Sequence, residues 1–122
     1  MNLEQSMLDT ISTGLLVLDR NLEVTALNAA GQAMLDTSEA RCLGLHAEKL
    51  LLHSSEWMGF LTQVLETGSP HASRGASLTL ASGQEIHVDV IITPYSDSDG
   101  QPGLLVELMA VDRLLKISRE GS

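Results

Sequence analysis

Aromatic side chains are nearly missing from this sequence: one Phe, one Trp and one Tyr occur among 122 residues, although hydrophobic residues make up 43%. The core must therefore be built from Leu, Val, Ile, Met and Ala, and a flavin or other flat cofactor would find few rings to stack on. Basic residues are also scarce, seven against sixteen acidic ones for a formal charge of −9. Such a surface repels phosphate backbones and anionic lipid, which argues against nucleic acid or a membrane as partner. The lone cysteine, Cys42, cannot close an internal disulfide, and no Cys/His cluster has zinc-site spacing. The start lacks the basic end and apolar run of a signal peptide, and no run of eighteen apolar residues exists to cross a bilayer. A single cytoplasmic domain is expected, because this length leaves no room for a substrate domain beside a cofactor domain.

What is present is patterned. Leu3, Met7, Leu8 and Ile11 fall at helical spacing and predict an amphipathic helix over 1–13. The apolar run Leu15 to Leu18, the pair Arg20-Asn21 and the alternating stretch Leu22 to Leu27 predict strand, tight turn and strand. Asn28 is placed to cap a helix over Ala29 to Leu35, and Thr37-Ser38 to cap another. Glu48 to Leu52 reads as one or two helical turns, and Glu56 to Thr67 as a clearer helix stopped by Gly68 and Pro70. The second half reads as three strands, the middle one ended by Pro94 and the last, Gly103 to Val111, apolar on both faces. A half-solvated strand does not need two apolar faces, so something must cover the outer one. The fold class is α+β: a single five-stranded antiparallel sheet, short helices on one face and flanking N- and C-terminal helices, with a core over 14–112. Residues 113–122 read as the start of an exit helix, and Gly121-Ser122 as a cloning scar.

Candidate chemical sites read blandly. His46, His53, His71 and His87 lack the spacing that sets two ligands on one helical face, and they are read as surface residues, with His53 nearest the helical layer. His46-Ala47-Glu48 lacks the cysteine pair of a zinc deaminase, and Asp97-Ser98-Asp99-Gly100 lacks the distal ligands of a calcium loop and reads as a polar turn. Cys42 reads as a small buried side chain. No phosphate-binding glycine motif, nucleophile elbow or paired catalytic carboxylate occurs, so no cofactor, metal or catalytic residue is assigned. Leu27, Leu50, Val64, Leu78, Val88 and Val106 are candidates to line a pocket between helices and sheet, with a closed core as the preferred alternative.

The ordered set Asp19, Asn28, Ala30, Gly44, Ser82-Gly83 and Thr93-Pro94 resembles the PAS domain. A closer likeness is to the N-terminal PAS domain of NtrB-type nitrogen-regulation sensor histidine kinases. Leu8-Asp9-Thr10-Ile11, Leu16-Val17-Leu18-Asp19, Leu27-Asn28-Ala29-Ala30, Leu105-Val106-Glu107-Leu108, Asp112-Arg113 and Ile117-Ser118-Arg119-Glu120 carry it. The resemblance implies a PAS fold and, beyond this chain, a kinase region that binds ATP and Mg and phosphorylates an NtrC-type response regulator under control of the PII signal protein. It also implies that Asp112 and Arg113 couple the sheet to the exit helix, although Val111-Asp112-Arg113 matches the family's acidic motif only at the Asp.

Two apolar ends and a two-faced last strand predict a homodimer with Leu3, Met7, Ile11 and Leu105 in its contact face. The expected function is sensing and dimerisation for a kinase, not catalysis by this fragment. A metabolite-binding PAS module of another signalling protein is the alternative, and a small enzyme ranks last.

Overall fold

The computed structural model describes residues 13–111. The flanking helices predicted from sequence, with Leu3, Met7, Ile11, Asp112 and Arg113, lie outside the described residues, apart from Thr13, which is the first residue of a strand and not of a helix.

The chain opens with a hairpin of β1 (Thr13–Asp19) and β2 (Val24–Leu27). Period-two alternation decides its faces: Gly14, Leu16 and Leu18 are buried, while Leu15 and Val17 are half-buried on the other side. Asp19 closes the turn, because its Oδ1 accepts from the Asn21 N–H at 2.8 Å and the Glu23 N–H at 3.0 Å. That fixed turn lets Leu22 adopt φ 62 and still bury its side chain.

Asn28 turns the strand into α1 (Ala29–Leu35). Its backbone N–H stays in the ladder with the Leu15 carbonyl (3.0 Å), but its own carbonyl has left to accept from the Gln32 N–H (2.9 Å). The side-chain Oδ1 takes the vacated place, accepting from the Leu15 N–H at 2.9 Å while capping the Gly31 N–H at 2.8 Å. Nδ2 donates to the Thr13 carbonyl at 3.0 Å. Only an amide of this length supplies two acceptor contacts and a donor at once.

Beyond α1 run α2 (Glu39–Cys42), a 3-10 turn (Ala47–Lys49), β3 (Leu51–Leu52) and α3 (Ser55–Thr67). The strands β4 (His71–Leu80), β5 (Glu85–Ser96) and β6 (Pro102–Ala110) follow. The sheet has six strands in the order β2-β1-β6-β5-β4-β3, every neighbour antiparallel. The expected count of five is corrected by β3: Leu51 and Leu52 were placed in helical turns, but pair with Leu80 and Thr79 at an otherwise open edge. Two residues are too few to show an alternation.

Pro94 does not end its strand either, and β5 continues to Ser96. Val111 donates to the His87 carbonyl, so odd residues of β5 exchange bonds with β6 and even ones aim their backbone at β4. β4 begins at His71 opposite Ile92, which leaves nothing for Pro94 to bond, so a residue without an N–H is tolerated there. The β2 edge is closed by other groups: Glu39 Oε2 accepts from the Leu27 N–H, Gln32 Nε2 donates to the Leu27 carbonyl, and Gly44 and Leu45 bond both backbone groups of Val24.

The helices lie on one face, and every buried side chain among the described residues is apolar. α1 sits so close to β1 that a Cβ on Gly14 would meet the Gly31 Cα at 3.0 Å, and one on Gly31 would meet Leu27 Cδ1 at 2.5 Å. Gly31→Ala should therefore cost about 1–3 kcal/mol of stability. Gly59→Ala, on the open face of α3 with nothing within 4 Å, should gain about 0.5–1 kcal/mol. Urea unfolding of both variants checks the pair, and equal effects would contradict the close packing of α1 on β1. Asn28→Asp removes the donor to Thr13 and sets a carboxylate oxygen against that carbonyl, so the same experiment should show a loss of about 1–3 kcal/mol.

Candidate functional site

Among the described residues, the space between helices and sheet and the outer face of the sheet are two places that can receive something. The inner space is a cavity of about 50 Å³. It is bounded by Trp57, Met58 and Leu61 of α3, by Leu50 and Leu51 beside it, and by sheet residues including Leu78, Ile92 and Val106. All fourteen lining residues are apolar. Of the residues predicted from sequence to line a pocket, Leu50, Leu78 and Val106 do so, while Leu27, Val64 and Val88 are buried in the core outside the lining. A space of this size with no polar partner suits neither a metabolite nor an ordered water.

The outer face is different in kind. β6 and β5 are the two middle strands of the six, and β1 lies on the other side of β6, paired with it from Thr13↔Met109 to Asp19↔Gly103. Pointing away from the helices are Leu15 and Val17 of β1, Leu105 and Met109 of β6, and Ile91 of β5, all half-buried. These five form one aliphatic patch with Glu107 at its centre. The first described residue of β1 pairs with the penultimate residue of β6, so the segments 1–12 and 112–122 join the sheet side by side at one end of this patch. Leu105, predicted from sequence to be in a contact face, lies in it. Glu107 gave no sequence signal, because a single carboxylate in an apolar strand reads as an ordinary solvent-facing residue until the register is known.

The other predicted residues are structural in their placement. Asp19 and Asn28 hold the hairpin and the strand-to-helix junction described above, and Ala30 is half-buried in the first turn of α1. Gly44, at φ 83, donates to the Val24 carbonyl, and Gly83, at φ 97, turns β4 into β5 by donating to Leu80. Asp97 accepts from the N–H groups of Asp99 and Gln101, which makes the Asp97–Gly100 stretch a self-contained turn. The four histidines are spread apart. His46 caps the 3-10 turn, His53 is exposed, His71 stacks on Phe60 at 4.0 Å between ring centroids, and His87 lies on the outer face of β5. Among the described residues no group of three His, Cys, Asp or Glu side chains is placed to hold a metal ion, and no helix is long and apolar enough to cross a membrane. Cys42 is buried, with Sγ 3.5 Å from the Thr37 hydroxyl. Gly31 and Gly103 were missed from sequence: a Cβ on Gly103 would collide with the Leu18 carbonyl oxygen, a close approach that only pairing reveals.

Comparison with known proteins agrees with this architecture. The sensory histidine kinase/phosphatase NtrB of Vibrio alginolyticus is 25% identical over 119 residues, covering 98% of this chain and 33% of that protein. The chain therefore spans about a third of that relative's length. The PAS domain of nitrogen regulation protein NR(II) from Vibrio parahaemolyticus superposes with a TM-score of 0.72 at 23% identity, covering 90% of this chain and 99% of that one. A PAS domain from Desulfitobacterium hafniense gives a TM-score of 0.66 at 17% identity, covering 86% and 98%. The family described as the PAS fold matches residues 8–111, which takes in the whole sheet, its helical layer and both junctions with the flanking segments. With a helix-covered antiparallel sheet, an asparagine-locked strand-to-helix turn and this match, the chain belongs to the PAS fold family.

Proposed function

We propose that this chain is the sensing and dimerisation domain of a cytoplasmic histidine kinase of the nitrogen-regulation type, and that it passes its signal to kinase and phosphatase regions through residues 112–122. The observation that carries this reading is the pairing of Thr13 with Met109 beside an aliphatic patch that no helix among the described residues covers. The chain enters β1 and leaves β6 on neighbouring strands, so a partner on the patch would act on both strands at once. A second copy that covers it brings two exit segments close together, and a change in how the copies pack shifts one exit segment against the other. In this reading Asp112 and Arg113 couple sheet to exit segment, and Leu3, Met7, Ile11 and Leu105 belong to the contact. The likeness to NtrB supports a downstream kinase with ATP and Mg, an NtrC-type response regulator as its target and the PII protein as its controller.

Light scattering over a concentration series tests the contact. The chain should be a dimer, and Leu3→Asp or Leu105→Asp should each leave it a folded monomer, since a buried unpaired carboxylate costs several kcal/mol. A dimer unmoved by both substitutions would place the interface elsewhere.

A second reading, that the domain senses a small molecule inside, is favoured only by the cavity of about 50 Å³. Because its lining is apolar, a panel of polar metabolites should leave the thermal midpoint unchanged within about 1 °C, whereas a saturable rise of several degrees with one of them would move this reading ahead.

A further inference from the structure

At the end of the sheet far from Thr13 and Met109, Gly103 of β6 pairs with Asp19 of β1 on one side and with Tyr95 of β5 on the other. Glycine is required there, because the Leu18 carbonyl oxygen occupies the place that a Cβ would take. A residue without a side chain between two that have one leaves a hollow, and Asp19, Gly103 and Tyr95 all line it. Its volume is about 290 Å³, against about 50 Å³ for the inner cavity. Small-molecule sites begin at roughly 300 Å³, so this groove, and not the interior, has the room for a small ligand.

The lining is mixed in a particular way. Val17, Ala26 and Pro102 supply apolar surface, and Tyr95 adds an aromatic ring that is 42% exposed. Thr25 is the extra residue where β2 slips against β1, and its hydroxyl is already engaged by the Val17 carbonyl at 3.3 Å. The two ionisable carboxylates of the groove, Asp19 and Asp97, come from opposite sides of it, one from the β1–β2 hairpin and one from the β5–β6 hairpin. Each is held by its own turn: Oδ1 of Asp19 accepts from the N–H groups of Asn21 and Glu23, and Oδ1 of Asp97 from those of Asp99 and Gln101. In both residues Oδ2 has no hydrogen-bond partner among the described residues. No Lys, Arg or His lines the groove, and Arg20, next to Asp19 in sequence, is exposed and outside the lining.

A hollow with an open ring, two oriented carboxylates and no basic side chain is complementary to a cation. The described carboxylates nowhere gather in the threes that hold a metal ion, so the charge that fits is spread over an organic group. A guanidinium is planar, lies flat on an aromatic face and donates in a fork to carboxylate oxygens, whereas an ammonium is a compact, strongly hydrated point charge. We propose that this groove binds a guanidinium group, stacked on Tyr95 and donating to the free oxygens of Asp19 and Asp97. The group comes either on a free small molecule or on an arginine side chain presented by a protein. The proposal does not depend on the reading of the outer face as a dimer contact, since the groove shares only Val17 with the aliphatic patch.

Titration of the full chain with arginine amide, followed by backbone amide chemical shifts at a fixed ionic strength of about 0.15 M, tests this. Chemical shifts suit a weak, open site better than the thermal midpoint, which moves only when ligand far exceeds its dissociation constant. The expected result is saturable shifts in the millimolar range, confined to residues of the two hairpins and Gly103, with citrulline amide, the neutral analogue, giving none. Tyr95→Ala, Asp97→Asn and Asp19→Asn should each weaken binding about threefold or more. The asparagines keep the Oδ1 acceptor of each turn, and Tyr95 and Asp97 are exposed, so Tyr95→Ala and Asp97→Asn serve should Asp19→Asn not fold. Glu66→Gln, which removes the same charge from the exposed face of α3, should bind as the wild type does. A parallel titration with a short blocked peptide containing one arginine separates the sources: equal dissociation constants assign a free small molecule, and a peptide at least tenfold tighter assigns a protein partner. Shifts spread over the acidic surface, equal binding of citrulline amide, or unchanged affinity in both Tyr95→Ala and Asp97→Asn would overturn the proposal.

Discussion

Asn28 is the constraint on which the arrangement of this domain turns. At its position the backbone must do two incompatible things: keep pairing with β1 and begin a helix that draws its carbonyl away from the ladder. The side chain resolves the conflict by accepting from Leu15 in the carbonyl's place, capping Gly31 and holding the Thr13 carbonyl. This fixes α1 directly against β1, where the facing Gly14 and Gly31 allow backbone contact and Leu27 fills the space a methyl would need. It also pins Thr13, the residue at which the preceding segment enters the sheet and which pairs with Met109 near the exit. The lock on the helical layer and the hold on the first residue of β1 are thus one set of hydrogen bonds.

The two faces of the sheet carry different consequences of the same sequence economy. With so few aromatic residues, the inner layer closes on branched and unbranched aliphatic side chains that fill space well and leave only a small dry void. The Trp57 and Phe60 rings pack edge-on, and Phe60 stacks on His71. A closed interior directs attention to the outside, where β1 and β6 are aliphatic and none of the helices among the described residues lies. In the proposed reading, input reaching that face acts on β1 and β6 without passing through the core.

Much of this was legible in the sequence because alternation and capping are local signals. β1, β2, α1, α3 and the long strands of the second half appeared at or near their observed limits, and Asp19 and Asn28 announced their turns by residue type and place. What escaped was set by pairing. Leu51–Leu52 is a strand because the end of β4 is free beside it, Pro94 stays in β5 because β4 has not yet begun opposite it, and Gly31 and Gly103 are glycines because other backbones approach them. Glu107 belongs to the same group. Its type was plain, but its place at the centre of five aliphatic side chains comes from the register of β6 against β1 and β5. The pocket residues divided for a similar reason: apolar strand and helix positions mark the core, but which of them border a void depends on how the 3-10 turn and α3 sit on the sheet.

We propose that the outer face, and not the interior, is where this domain meets a partner copy. Methionine oxidation by peroxide, followed by mass spectrometry over a protein concentration series, reads both sides at once. Met109 lies on the outer face, and Met58 borders the inner cavity. The account predicts that oxidation of Met109 slows several-fold as the chain associates while Met58 keeps its rate. A Met109 rate independent of concentration in a chain shown to be dimeric, or protection of Met58 in its place, would contradict it.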